Sequence, residues 1–96
     1  MVNPLAYQIE ELRREELLLL KSRTDLDEGG KRLRDQLERV TSLKDAGHDA
    51  RQAERLGVVL RETLTEWERH HVLIEQRIAH LRKLVHPIPP APDGPY

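Results

Sequence analysis

Leucine recurs at every seventh position through the first half of the chain. The series comprises Leu5, Leu12, Leu19, Leu26 and Leu33, and Val40 continues it. A seven-residue apolar period is typical of long helices that pack together as coiled coils. The series keeps its phase across Gly29 and Gly30, although glycine is a poor helix former. A break at the glycines would have no reason to preserve the phase, so the sequence predicts one continuous helix. The alternative is a break there, which would give a three-helix arrangement.

Local signals indicate where the helices begin and end. Asn3-Pro4 is a typical helix start, because asparagine accepts hydrogen bonds from free backbone N–H groups and proline needs no partner for its nitrogen. Gly47 is typical of a helix end, and Asp49–Gln52 has the spacing of a capping box. Pro87 disfavours helical geometry in the residue before it, which predicts the end of the second helix.

The chain is therefore predicted to be all-α, with a single antiparallel helical hairpin over residues 1–86. Its helices should cover about residues 4–45 and 50–85. Residues 87–96 contain five prolines and one glycine, and they are predicted to form an extended or disordered tail.

The seam between the helices is predicted from the same period. We place the second seam row of the first helix four residues after each leucine, at Glu16, Arg23, Gly30 and Leu37. In each layer of the seam, we pair one residue of the first helix with the residue of the second helix whose number brings the sum of the two to 97. This rule gives every layer a partner and sets the only tryptophan, Trp67, opposite Gly30. The indole would fill the space that the glycine leaves. The predicted seam residues are Leu12, Leu19, Leu26, Gly30, Leu33, Leu37, Leu60, Leu64, Trp67, His71, Ile74, Ile78 and Leu81.

Further aliphatic side chains lie outside this seam, where a lone hairpin would expose them to water. They are Leu17, Leu18, Val58, Val59, Val72 and Leu73. We interpret these six residues as a second interface, through which two hairpins form a homodimeric four-helix bundle.

Composition excludes several classes of function. The net charge of −1, with 16 basic and 17 acidic side chains interspersed, does not favour a nucleic-acid binder. The longest aliphatic run is too short to span a bilayer. Without cysteine there is no disulfide framework and no thiolate chemistry. A cytoplasmic protein without a cofactor and without membrane contact is expected.

One spacing is compatible with metal binding. Glu68 and His71 stand three residues apart, as ligands do in ferritin-like di-iron bundles, and Asp27 and Glu28 are predicted to lie at a similar height. A dimer would supply each ligand twice. The favoured interpretation of His71 is a polar seam residue that sets the register, so no metal is assigned and these four positions stay candidates only. Ser22 and Ser42 are expected to have no arranged histidine and acid that would form a nucleophilic triad.

These patterns predict a non-enzymatic protein–protein interaction or assembly module, such as an adaptor or a regulatory accessory. The partner and the pathway are unknown. The alternative is a dimeric, ferritin-like metal-binding bundle that uses Glu68 and His71.

Overall fold

The computed structural model of the chain describes residues 3–86, and they form two long helices. α1 comprises Pro4–Asp45 and α2 comprises Arg51–Val85. At 1.5 Å per residue, α1 is about 63 Å long and α2 about 53 Å. The two helices pack against each other in opposite directions, so the predicted all-α helical hairpin is confirmed. The proline-rich segment 87–96 lies outside the described residues.

α1 continues without interruption through Gly29 and Gly30. The prediction of one helix is confirmed, and the alternative with a break at the glycines is wrong. Two interior glycines cost a helix roughly 2 kcal/mol relative to alanine. The contacts that Leu26 and Leu33 make on either side of the pair offset this cost, because both side chains are partly buried in the hairpin.

The connection between the helices is short and hydrogen-bonded. α1 ends where Gly47 adopts a φ of +75°, a left-handed conformation that suits glycine. The N–H of Gly47 donates to the carbonyl of Lys44, and that of His48 donates to the carbonyl of Leu43. These bonds satisfy carbonyl groups that the end of a helix would otherwise leave free.

The start of α2 differs slightly from the predicted capping box. The side chain of Asp49 accepts the backbone N–H of Arg51 at 3.0 Å and also contacts the Arg51 guanidinium. Ala50 occupies the cap position and is buried under the turn. The first turn is therefore stabilised by a carboxylate placed just before the helix.

The best-packed part of the hairpin is the end that carries the two chain termini. Leu12, Ile74, Ile78 and Leu81 are each no more than 6% exposed, and Leu19 and Val85 pack against them. The remaining seam residues towards the turn are mostly half-buried, because only two helices are present to cover them.

The register of α1 differs from the prediction. The second seam row lies three residues after each leucine, not four, and contains Glu15, Ser22, Gly29, Gln36 and Leu43, which are buried or partly buried. Of the predicted row, Arg23 and Leu37 are exposed, and Glu16 and Gly30 lie to one side of the seam. Both rows obey the alternating three- and four-residue steps of a helical seam, so the leucine series alone does not choose between them.

The pairing of the helices is shifted accordingly. Ser22 pairs with His71, Gly29 lies against Leu64, and Gln36 lies against Gly57. The position numbers of these pairs sum to 93, so the predicted sum of 97 is wrong by about one helical turn. Trp67 consequently packs on Gly29, whereas the nearest side chain to a Cβ at Gly30 would be that of Arg34.

Candidate interaction surface

The polar members of the second seam row of α1 each make a specific bond to α2. Glu15 accepts from Arg77 at 2.8 Å, Ser22 Oγ lies 2.8 Å from His71 Nδ1, and Gln36 Nε2 donates to the carbonyl of Ala53 at 2.9 Å. A polar side chain in a seam is costly unless it is paired. These three bonds therefore favour one register of the helices over its neighbours.

Glu15 is the one buried charged residue of residues 3–86, with 6% of its surface exposed. Its Oε1 accepts from the Arg77 guanidinium, while Oε2 is buried and has no hydrogen-bond partner within the described residues. The hydrogen bond and the charge of Glu15 raise the pKa of Arg77 above its ordinary value. The seam thus contains a buried carboxylate that has a hydrogen-bond partner at only one of its two oxygens, and that partner is the surface residue Arg77.

Sequence inspection missed the arrangement around Ser22, because its partners lie 49 and 53 positions away. His71 Nδ1 contacts Ser22 Oγ, and Nε2 lies 3.7 Å from Glu75 Oε1. This order resembles a nucleophilic triad, but Ser22 lies inside α1, where the backbone N–H groups are already bonded within the helix. An oxyanion needs free donors beside the nucleophile. Of the two contacts, only that of Ser22 with His71 joins α1 to α2, because Glu75 lies on the same helix as His71.

The candidate metal ligands do not form a set in one hairpin. Asp27, Glu28 and Glu68 are exposed, and His71 is occupied by Ser22. Between residues 3 and 86 no group of three or more histidine, aspartate or glutamate side chains is positioned to hold a metal ion. No observation therefore favours the ferritin-like alternative.

One side of the hairpin is closed by ion pairs between the helices, and we call it the paired edge. Glu16 contacts Arg82 at 3.4 Å near the termini, and Lys44 contacts Glu54 at 3.2 Å near the turn. Each of these residues directly follows a seam residue in its helix. Glu16 was predicted to lie in the seam, but it instead flanks it, because the seam residue is Glu15.

The other side, which we call the open edge, carries a series of grooves. Its α1 members are the residues that directly precede each residue of the leucine series from Leu12 onward. Its α2 members are the residues that directly precede Gly57, Leu64, His71, Ile78 and Val85. The α1 members are Glu11, Leu18, Asp25, Arg32 and Arg39, and the α2 members are Leu56, Thr63, His70, Arg77 and Leu84.

Four grooves on the open edge contain members of both series. Leu18, Asp25 and His70 line one together with Trp67 and Ile74. A second groove lies between Glu11, Arg77 and Leu84. The third lies between Arg32, Arg39 and Leu56, and the fourth, near the turn, contains Arg39, Leu56 and Asp49. Apolar and charged side chains are thus mixed along the open edge from the termini to the turn.

The six residues of the predicted second interface are all exposed, at 46% to 67%. Helical periodicity divides them between different sides of the hairpin. Leu18, Val59 and Leu73 lie toward the open edge, Val58 and Val72 lie toward the paired edge, and Leu17 points away from α2. In agreement with this, Val58 lines a groove with the paired-edge residues Glu54 and Arg61. One flat contact surface therefore does not include all six.

Trp67 is a seam residue that also lines a groove of the open edge, and it is the most distinctive side chain there. It contacts Gly29 in the seam, yet 38% of its surface is exposed in the groove beside Leu18. A tryptophan that is partly exposed in a groove is characteristic of surfaces that bind other macromolecules.

The chain is an all-α antiparallel hairpin whose two helices share a partly polar seam. Neither α1 nor α2 contains a stretch apolar enough to cross a membrane. Comparison of the sequence with protein-family models, with curated proteins and with solved structures finds no match.

Proposed function

We propose that the chain is a cytoplasmic, non-enzymatic interaction or assembly module that forms a homodimer through helix faces outside its own seam. The observation that carries the proposal is the exposed apolar surface of the open edge. Trp67, Leu18 and Leu73 are between 38% and 58% exposed. Apolar side chains clustered on one side of a small protein favour association over exposure to water.

The incomplete burial of the seam also supports association. Beyond Leu12, Ala50, Ile74, Ile78 and Leu81, no large apolar side chain of residues 3–86 is buried. A two-helix hairpin of this length buries little apolar surface. A second hairpin would cover the same helices from one side and complete a four-helix bundle.

Sedimentation velocity of two matched double variants tests this proposal. Leu18→Glu with Leu73→Glu places charge on the side of the open edge, and it should convert a dimer into a monomer that keeps its helical circular dichroism. Val58→Glu with Val72→Glu adds the same charge on the side of the paired edge and should leave the dimer intact.

Each other result has a definite meaning. A wild-type chain that sediments as a monomer at all concentrations would contradict homodimerisation. Loss of the dimer in the Val58 and Val72 variant alone would place the interface on the opposite side of the hairpin.

A further inference from the structure

Leu5 is the one member of the leucine series that the hairpin leaves exposed. Leu12 is buried, and the later members through Val40 are all partly buried, whereas 45% of the surface of Leu5 is exposed. A leucine that keeps the period of a helical seam is expected to pack against a partner in that seam. The exposure of Leu5 therefore indicates that its layer is incomplete within residues 3–86.

The register of the helices explains why this layer is incomplete. Because the numbers of paired positions sum to 93, the first turn of α1, residues 4–7, lies level with residues 86–89. α2 ends at Val85, so α1 extends about one turn beyond it. The position that pairs with Leu5 is 88, which follows α2 by three residues.

The residue at position 88 continues the seam pattern of α2. The α2 residues that pair with the leucine series recur at every seventh position, and they are Ala53, Leu60, Trp67, Ile74 and Leu81. The next member of this series is Ile88, the only large aliphatic residue between positions 87 and 96. In the neighbouring layer, Leu12 and Leu81 belong to one buried cluster. An aliphatic residue thus stands where the register requires one, although the helix has already ended.

Proline prevents α2 itself from reaching this position. Pro87 has no N–H for the helical hydrogen bonds and disfavours helical geometry in the residue before it. His86 accordingly adopts a φ of −126° and a ψ of 74°, and its N–H donates to the carbonyl of Arg82 at 2.7 Å. The chain therefore leaves the helical path just before Ile88.

The connection from Val85 to Ile88 is long enough to reach Leu5. In the register of the hairpin, Leu5 lies about 4.5 Å beyond the level of Val85 along the helix axis. Three residues of extended chain span up to about 10 Å. Ile88 can therefore lie over Leu5 without any rearrangement of α2.

A groove at the same end of the hairpin suits the residues that follow Ile88. Pro4, Tyr7 and Leu84 line it, and 56% of the surface of Tyr7 is exposed. Grooves lined by aromatic side chains bind proline-rich segments in extended conformations. The residues after Ile88 are two consecutive prolines, at positions 89 and 90.

We propose that residues 87–90 fold back over the first turn of α1, with Ile88 covering Leu5 and the two prolines lying against Tyr7. This segment completes the last layer of the seam and closes the end of the hairpin. It is attached to α2 within three residues of Leu5, so its effective concentration there exceeds that of a free molecule. The contact does not depend on homodimerisation, and it leaves the part of the open edge around Leu18 and Trp67 to a partner.

Pairs of introduced cysteines test the contact, because the chain has no cysteine of its own. Leu5→Cys with Ile88→Cys should form an intrachain disulfide in a glutathione redox buffer, since this bond requires Cα atoms no more than about 7 Å apart. Ala6→Cys with Ile88→Cys is the matched control. Ala6 is exposed in the same turn, but its side chain points about 100° further round α1.

The measured quantity is the effective concentration of the two thiols in the folded protein, relative to the same variant in concentrated urea. It should be at least about tenfold higher for the Leu5 pair than for the Ala6 pair. In urea the two pairs should be nearly equal, because the loops that they close differ by one residue. Leu5 and Ala6 are both exposed, so neither substitution removes a buried side chain.

Amide hydrogen exchange tests the same contact without cysteine. The N–H of Tyr7 donates to the carbonyl of Asn3 at 3.2 Å in the first turn of α1. Ile88→Asp places a charge over Leu5 and should speed exchange at Tyr7 by at least about threefold, because local opening becomes easier. Ile88→Leu keeps an aliphatic side chain and should leave the rate unchanged. Pro95→Asp adds the same charge elsewhere in the segment and should also leave it unchanged.

The outcomes separate this inference from the proposed function. Equal effective concentrations for the Leu5 and Ala6 pairs would overturn the contact, as would a Tyr7 exchange rate that Ile88→Asp does not change. Disulfide-linked dimers in place of intrachain bonds would also overturn it, because the segment of a second copy would then cover Leu5. A preferred intrachain disulfide in a chain that sediments as a monomer would support this inference and contradict homodimerisation.

Discussion

Gly29 lies against the six-membered ring of the Trp67 indole. A Cβ atom built on Gly29 would be 3.3 Å from Cζ3 of that ring and 3.2 Å from Cδ1 of Leu64, which is tighter than ordinary van der Waals contact. At Gly30 the same atom would meet only Arg34 Nη1, at 3.8 Å. Of the two adjacent glycines, therefore, only Gly29 leaves space that the partner helix uses.

Alanine substitutions should separate the two glycines. Gly30→Ala should increase the free energy of unfolding by about 0.5–1 kcal/mol, because alanine is the better helix former and its methyl group meets no obstacle. Gly29→Ala should not increase the free energy of unfolding, because Leu64 and Trp67 must move to admit the methyl group. Urea unfolding followed by circular dichroism measures both. Equal stabilisation by the two substitutions would contradict the packing of Trp67 on Gly29.

Gly57 provides a second test of the register. It is buried, but an added Cβ would lie 3.8 Å from Leu37 Cδ2 and 4.0 Å from Gln36 Cγ, which is ordinary contact. Gly57→Ala should therefore stabilise the hairpin by about 1 kcal/mol. Thermal unfolding would show this as a higher midpoint. A lower midpoint would mean that α1 approaches α2 more closely at this position than the contacts with Gln36 and Leu37 indicate.

The bond between Ser22 and His71 should be worth about as much as a typical buried hydrogen bond. Ser22→Ala leaves His71 Nδ1 without its partner and should lower the free energy of unfolding by about 1 kcal/mol. Adding His71→Leu to Ser22→Ala removes the unpaired nitrogen and should recover most of that loss. A double-mutant cycle in urea measures the coupling, and additive effects of the two substitutions would show that the bond does not stabilise the seam.

Removing Arg77 and removing Glu15 should have different effects on the stability of the hairpin. Arg77→Ala should lower the urea midpoint, because it leaves the buried carboxylate without its only hydrogen-bond partner among residues 3–86. Glu15→Leu should leave the midpoint unchanged or raise it, because leucine extends the apolar cluster around Leu12. The double variant should resemble Glu15→Leu alone. An Arg77→Ala variant as stable as the wild type would contradict the dependence of Glu15 on that arginine.

The contact between Asp49 and Arg51 in the turn should make the stability of the hairpin depend on pH in the acid range. The Arg51 side chain and backbone N–H hold the pKa of the Asp49 carboxyl below its ordinary value of 3.8. A carboxyl with a lowered pKa in the folded state stabilises that state above its ordinary pKa, and the contribution disappears as the pH falls through the lowered value. Asp49→Asn keeps the ability to accept the Arg51 N–H but removes the charge. Its unfolding midpoint should lie below that of the wild type at neutral pH, and the difference should shrink as the pH falls below the ordinary pKa of 3.8 and through the lowered one. A difference that stays constant from pH 7 to pH 2 would contradict the assignment.

Much of the architecture was predictable from local sequence. The start at Asn3-Pro4 and the turn at Gly47 depend on groups within a few residues, because capping and left-handed backbone conformations are local properties. The continuity of α1 was predictable as well, since the leucine period passes through the glycines unchanged. The exposed positions of Leu18 and Leu73 were expected for the same reason, because they fall outside that period.

The register of α1 was not predictable in this way. The leucine series determines one row of the seam, and a second row either three or four residues later is compatible with helical geometry. Each row contains one leucine among polar residues: the row at four residues contains Glu16, Arg23 and Leu37, and the row that α1 uses contains Glu15, Ser22, Gln36 and Leu43. A polar row is tolerated only when partners from the other helix satisfy it, and those partners lie up to 62 positions away in sequence.

The sequence by itself therefore determined that two long helices form, where each begins and ends, and that they fold back as a hairpin. Only the tertiary structure decided which faces meet, and so which edge is closed by ion pairs and which is left open. The physical reason is that helix formation depends on neighbours along the chain, whereas the choice of seam depends on cross-helix bonds such as those of Glu15 with Arg77 and Ser22 with His71.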